Sequence, residues 1–249
     1  MKKDEIVTVT IEDMSSEGLG VGRSDGLTLF VKDTVIGDTA EVKIMKMKKT
    51  YGYARLIRLI RPGKDRIPAP CPVAKQCGGC QIQAMNYEAQ LRFKENKVRG
   101  NLQRIGKFNN PPMEPIRYRN KAQFPVGRDR NGRLIAGFYA GRTHTIVECR
   151  DCLLGDKVNE KILNLVLEHM ETHGISPYDE TTGQGLVRHI MTRTGFQTGQ
   201  IMVCIVVNGD SLPAGDALAA ELAQIPGMTS ITLNINKENT NVILGKKII

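Results

Sequence analysis

Apolar and polar positions alternate from the start of the chain. Val7, Val9 and Ile11 are interleaved with Thr8 and Thr10, the two-residue period of a strand with one buried face. A glycine-spaced segment, Gly18-Leu-Gly-Val-Gly22, comes next. An Asp25-Gly26 turn signal then leads into a strand over Leu27–Val31. In the run from Ala40 to Met47 the apolar face switches between Ile44 and Met45, which predicts a bulge. The last strand of this series is read over Tyr53–Ile60. Five short strands within residues 1–62 predict a small closed β-barrel of OB-like size.

From residue 63 the pattern changes. Pro62-Gly63 and the prolines at 68, 70 and 72 mark a linker. A helix is expected over Tyr87–Ile105, with Leu91, Val98, Leu102 and Ile105 on one stripe, Asn86 as its cap and Gly106 as its stop. Arg117–Ile146 reads as antiparallel strands joined at Asn131-Gly132. A second helix is expected over Asp156–His173 on Val158, Ile162, Leu165 and His169. Strands follow at Leu186–Arg193 and Gln200–Val207, then a helix at Ala214–Gln224. Two more strands, Thr229–Asn236 and Asn241–Leu244, are expected to end the layer, with no closing element in the last residues. The fold class is therefore mixed: a small β-barrel over residues 1–62 and an α+β domain over 63–249.

The chain has 249 residues, 41% hydrophobic and 24% charged, a composition that folds rather than stays disordered. Its longest apolar run, Ile201–Val207, has strand length, and the start places acids directly after two lysines. Neither a membrane span nor a secretory signal is expected, and the reading is cytoplasmic and monomeric. Thirty-five Lys and Arg against 26 Asp and Glu give a net charge of +9. That surplus favours a nucleic-acid partner, because cationic side chains release counterions from phosphates. It is concentrated between residues 43 and 61, where seven basic residues stand without an acid and Tyr51 and Tyr53 lie among them. A solvated strand edge protected by lysine is the plainer account of such a run. Aromatic rings inside it favour RNA contact.

Three of the six cysteines fall in CPVAKQCGGC, at 71, 77 and 80; two more stand at 149 and 152, and Cys204 sits inside an apolar strand. A large chain with its own core does not need a disulfide framework. A redox pair at Cys77 and Cys80 leaves Cys71 unexplained. A four-thiolate metal shell accounts for more, drawn from one tight loop and one distant cysteine. Zinc and iron–sulfur both accept such a shell. The x5, x2, remote spacing suits a cluster, and the fourth ligand is open between Cys149 and Cys152. Cys204 reads as a small buried hydrophobe.

With these residues on the page, the chain resembles the S-adenosylmethionine-dependent RNA (uracil-5-)-methyltransferases, in particular their 23S ribosomal RNA branch. The start resembles a TRAM domain. Asp65-Arg-Ile-Pro-Ala-Pro-CPVAKQCGGC, with the Tyr87-x-x-Gln90-x-x-x-Lys94 helix after it, is similar to the family's cluster-binding segment, and Tyr118–Phe124 to the strand that opens its central domain. The resemblance implies a four-iron, four-sulfur cluster on Cys71, Cys77, Cys80 and Cys152, with Cys149 as second choice for the last ligand. It also implies a Rossmann-like domain that binds S-adenosylmethionine and carries the nucleophilic cysteine. Neither Gly18–Gly22 nor Asp179-Glu-Thr-Thr-Gly-Gln-Gly185 has the strand–turn–helix setting that domain needs. The expectation is accordingly that these 249 residues lack the methyl-transfer domain, are inactive alone, and supply RNA capture and the cluster. A stand-alone RNA-binding module with a structural metal is the alternative. Phosphate contacts are assigned to Lys43, Lys46, Lys48, Lys49, Arg55 and Arg58 in the barrel. In the central hairpin region they are assigned to Arg119, Lys121, Arg128, Arg130, Arg133 and Arg142.

Overall fold

The computed structural model describes residues 2–102, 116–240 and 242–249. Two compact units are present, residues 1–75 with 79–113 and residues 76–78 with 114–249.

In the first unit the alternating segments pair as the pattern predicts. Strands β1 (Ile6–Met14), β2 (Gly20–Ser24), β3 (Leu27–Lys32), β4 (Thr39–Met47) and β5 (Tyr51–Arg61) close a barrel in the order β1-β2-β3-β5-β4. Val9, Ile11, Leu29, Val31, Ala40, Val42 and Ala54 fill it. The register of β4 against β5 slips between Ile44 and Lys46, so the expected bulge is present and carries Lys46 opposite Tyr53. Below the barrel Asp38 is fully buried and heavily satisfied. Its carboxylate accepts from the backbone N–H of Val35 (2.8 Å) and Gly63 (2.9 Å), and from Arg66 through Nε (2.9 Å) and Nη2 (2.5 Å). The segment after β5 is thereby tied to the β3–β4 turn. A side chain at Gly63 would meet the Ile36 carbonyl at 2.5 Å, so this close approach needs glycine.

Helix α1 (Tyr87–Leu102) begins as expected, with Asn86 Oδ1 accepting the Ala89 N–H at 2.8 Å. Its expected end at Ile105 and Gly106 lies outside the described residues. The packed face differs from the stripe on Leu91 and Val98. Ala89 and Phe93 pack on Met14, Val35 and Met85, while Leu91 and Val98 are half-buried. The small Ala89 lets the helix approach there, and Lys97 holds the next turn by reaching Asp13 at 3.1 Å.

The second unit is a seven-stranded sheet, ordered β12-β11-β10-β9-β6-β7-β8. Its strands are β6 (Lys121–Arg128), β7 (Leu134–Tyr139), β8 (Ile146–Glu148), β9 (Val187–Thr194), β10 (Ile201–Val207), β11 (Met228–Ile235) and β12 (Lys247–Ile248). The β6–β7 turn falls at Asn131-Gly132, where Gly132 takes φ +81° and the Asp129 carboxylate accepts the N–H groups of Asn131 and Arg133. β10 and β11 are parallel and joined through α3 (Gly215–Ala223). Helix α2 (Val158–Thr172) buries Asn159, Ile162, Leu163, Val166, Leu167, His169 and Met170. Only Ile162 and His169 of the expected stripe are among them. The face is turned because the Thr192 hydroxyl donates to Asn159 Oδ1 at 2.7 Å, which draws Asn159 inward.

Two expectations for the end of the chain are corrected. Among the described residues, 242–244 form no strand, and Asn241 lies outside them. The last residues do close the sheet: β12 pairs antiparallel with β11, Ile235 opposite Lys247. Two buried amides cause this. Asn236 Nδ2 donates to the carbonyls of Val242 and Ile243, and Asn234 exchanges hydrogen bonds with Gly245, so side chains take the place of ladder bonds over 242–245.

Candidate nucleic-acid interface and thiolate turn

On the barrel, outward positions of β3 and β5 bring Phe30, Tyr51 and Tyr53 into one ring cluster with centroids 5.7–5.8 Å apart. Tyr53 is 38% exposed. Beside it the registers align Lys32, Arg55 and Lys43 across three adjacent strands. The basic set then divides. Lys43 pairs with Asp4 at 2.9 Å, and Arg58 grips Glu41 through Nη2 (2.9 Å) and Nε (3.2 Å). Lys46, Lys48, Lys49 and Arg55 have no carboxylate partner among the described residues. An exposed ring beside cations without carboxylate partners has the chemistry by which nucleic-acid-binding proteins stack bases and neutralise phosphates.

The cysteines are divided between the units. Cys71 and Cys80 belong to the first; Cys77, Cys149 and Cys152 belong to the second. Among the described residues no group of three or more Cys, His, Asp or Glu side chains is gathered to hold a metal ion, so the expected four-thiolate shell is not assembled. The second unit nevertheless builds a thiolate turn. Cys77 bridges to Ala140, and Gly78 donates to the Tyr139 carbonyl at 3.2 Å, with the Gly141 backbone close enough to exclude a side chain at 78. Cys149 follows β8, its N–H donating to the Ala136 carbonyl at 3.1 Å. The Cys152 thiol is pulled down from 9.0 to about 6, first by its hydrogen bond with Cys149. Burial opposes this, while the N–H groups of Leu154 and Gly155 and the charge of Arg119 reinforce it. Arg117 braces the turn, donating to the carbonyls of Cys152 (2.9 Å) and Gly155 (3.0 Å) and pairing with Asp151. Thiolate character at Cys152 suits a soft-metal ligand. Cys204 is buried in β10, as read, and burial raises its thiol.

The second basic set is scattered. Arg119 lies by the thiolate turn, its N–H donating to the Leu154 carbonyl at 2.9 Å. Lys121 opens β6 opposite Arg193, and Arg142 sits exposed in the β7–β8 turn at φ +65°. Arg133 is occupied by Glu148 (2.5 Å) and Asp129 (3.2 Å). Arg128 and Arg130 line a cavity of about 690 Å³ between the β6–β7 end of the sheet and residues 176–189.

That cavity holds residues the sequence reading passed over. Glu180 accepts from the Tyr139 hydroxyl at 3.4 Å and lies 2.5 Å from His144 Nδ1. Burial, then the Glu180 charge, pushes the Tyr139 hydroxyl up to about 12. Arg188 lies over the Tyr178 ring, 4.3 Å from its centroid. Burial holds the His189 imidazole near 4, so it is neutral at physiological pH. Arg-His inside an apolar strand was the available signal, since buried charge in a strand asks for a reason.

Both glycine-rich segments take the settings expected of them. Gly18 precedes a barrel strand, and Gly183 and Gly185 lie in the turn before β9, so neither opens a helix.

Comparison with known proteins bears on the barrel first. Residues 2–57 match the TRAM domain. Over 99% of its length the chain is 43% identical to an uncharacterized RNA methyltransferase of Halalkalibacterium halodurans and 41% identical to one of Listeria monocytogenes. It spans about 56% of the length of these relatives. Its fold is shared with the tRNA (uracil-54, C5)-methyltransferase of Pyrococcus abyssi, solved with S-adenosyl-L-homocysteine. The TM-score is 0.71 at 22% identity, over 97% of this chain and 55% of that one. The matches give no support to reading the chain as an inactive remnant, and none to a 23S preference. No helix among the described residues is long and apolar enough to cross a membrane.

Proposed function

We propose that this chain captures RNA for methylation of uridine at C5 with S-adenosylmethionine as donor, the TRAM barrel serving as the first contact. The observation that supports this most is the Phe30–Tyr51–Tyr53 ring cluster beside Lys46 and Arg55, cations without acidic partners among the described residues. Lys48 and Lys49 extend it. Lys43 and Arg58 contribute after exchanging a carboxylate for a phosphate. Arg119, Lys121, Arg128, Arg130, Arg133 and Arg142 form the second contact set. Ribosomal RNA is the substrate the family resemblance favours, and transfer RNA is named for the structural neighbour; both belong in the assay.

The cluster reading remains part of this proposal. Cys71, Cys77, Cys80 and Cys152 would hold a four-iron, four-sulfur cluster, with Cys149 able to replace Cys152. The low thiol of Cys152 supports that choice. Bound there, the cluster would brace the cysteine loops. The residues themselves act by holding the Cys152 sulfur as thiolate: Cys149 hydrogen-bonds it, Leu154 and Gly155 donate to it, Arg119 supplies charge, and Arg117 fixes the turn.

Two measurements test the reading. RNA affinity of the full chain is measured against salt for the wild type and for K46E/R55E. Each lost phosphate contact lowers the slope of log K on log salt by about 0.7 for single strands. The double variant is expected to fall by about 1.4; an unchanged slope would remove the barrel from the interface. Iron, acid-labile sulfide and zinc are measured after anaerobic purification. Near-equal iron and sulfide, about four of each as a four-iron cluster requires, supports the cluster. Stoichiometric zinc without sulfide favours an RNA-binding module with a structural metal.

A further inference from the structure

We propose that the cavity at the β6–β7 end of the second unit holds a single unstacked nucleotide of the RNA, its base between the Tyr139 and Tyr178 rings and its phosphate at Arg128 and Arg130. This rests on the RNA reading above. At about 690 Å³ the cavity falls within the range of small-ligand sites.

Its floor is built of polar groups that the protein leaves unmet. Arg188 and His189 are only 4% and 5% exposed. Arg188 gives Nη1 to the carbonyls of Asn236 (3.0 Å) and Glu238 (2.7 Å) and Nη2 to that of Thr240 (3.4 Å). These acceptors are neutral, and no carboxylate pairs with the guanidinium among the described residues. Its Nε and the Nδ1 of His189 are buried without a hydrogen-bond partner among the described residues. Buried polar atoms are nearly always satisfied, so two unmet nitrogens in neighbouring residues along one cavity point to an absent partner.

The walls state what kind of partner. Arg188 stacked on Tyr178 is a flat cationic layer, and Tyr139 with His144, centroids 5.2 Å apart, is a second aromatic surface. On the same lining Glu180 offers a carboxylate that only accepts, and neutral His189 offers an imidazole that can do either. A base has π-faces for the rings and a mixed donor–acceptor edge for these groups. Single-stranded RNA is recognised in this way, through bases splayed out onto aromatic and arginine planes. Inorganic phosphate would use the rim arginines and leave the rings idle.

The test uses the full chain. Imidazole signals of His144 and His189 are followed by NMR during titration with each nucleoside 5′-monophosphate and, separately, with inorganic phosphate. Affinities for single-stranded and duplex RNA of equal length are then measured for the wild type, Y139A, Y139F and E180Q, each checked by thermal melting. Mononucleotides are expected to move both imidazole signals. Y139A should weaken single-strand binding about tenfold, the lower part of the range for one stacked base, with duplex binding unchanged. Y139F, which keeps the ring, should retain most of the affinity. Imidazole signals that stay fixed with mononucleotides and with single-stranded RNA overturn the proposal, whatever K46E/R55E does. Equal movement by inorganic phosphate reduces the cavity to an anion site and also overturns it. If the wild type binds no RNA, the function reading fails, and the mononucleotide titration still decides the cavity.

Discussion

His189 shows how burial alone sets the behaviour of a residue. Its imidazole sits in β9 with the Glu180 charge too weak to offset desolvation, and it takes a proton only near pH 4 instead of 6.5. The unfolded chain binds that proton below about 6.5 and the folded chain does not until about 4. Stability contributed by neutral His189 is therefore complete above 6.5 and is lost as pH falls toward 4, by roughly 3 kcal/mol. In H189Q that part of the acid limb should disappear, read as a flatter pH dependence of the urea midpoint between 4 and 6.5. An unchanged acid limb would mean that the imidazole is hydrated. None of this is readable from a histidine in an apolar run, since the shift depends on what covers it. Asp38 is a parallel case. One acid in a turn looks solvated in sequence, yet it is the buried hub that joins Val35, Gly63 and Arg66.

Elements were legible wherever one face is buried and the spacing is regular. The barrel strands, the bulge after Ile44 and the Asn131-Gly132 hairpin all follow from local pattern, because strand period and turn chemistry act over a few residues. The helix faces were less legible. Which stripe of α1 or α2 packs is decided by distant groups such as Met14 and Thr192. The same holds for the chain end, where Asn234 and Asn236 substitute for a strand. For the site, cysteine spacing identified the thiol-bearing segments and placed Cys149 near Cys152, whose thiol it lowers most, but spacing does not reveal the backbone N–H groups and Arg119 that reinforce the effect. The turn depends on β8, and β8 depends on Gly137. A Cβ there would lie 1.9 Å from the Val147 carbonyl oxygen and 2.7 Å from the Cys149 nitrogen. G137A is expected to cost about 1–3 kcal/mol as overpacking and to loosen β8. Faster amide exchange at residues 146–149 and faster alkylation of Cys152 would show it. Unchanged exchange would mean that the hairpin shifts as a whole.

At the scale of the molecule, the net charge of +9 favours a polyanionic partner but does not say where on the surface it would bind. Of twelve cations assigned from sequence, Lys43, Arg58 and Arg133 are held in ion pairs, and Arg128 and Arg130 meet at a cavity completed by the neighbouring β7–β8 residues Tyr139 and His144 and by residues 176–189, some 50 positions later. The barrel topology has a consequence for how the protein is made. Ile6 in β1 pairs with Lys43, and Thr28 in β3 pairs with Tyr51, so neither seam forms until most of the first 61 residues exist. At about 5–20 residues per second, the 33 residues from the end of β1 at Met14 to the end of β4 at Met47 take about 2–7 s to synthesise. During that interval the β4-facing edge of β1 is unpaired, and the ring-and-lysine surface proposed for RNA capture has not been formed. Closure of this barrel is therefore set by the order of synthesis as well as by the stability of the finished fold.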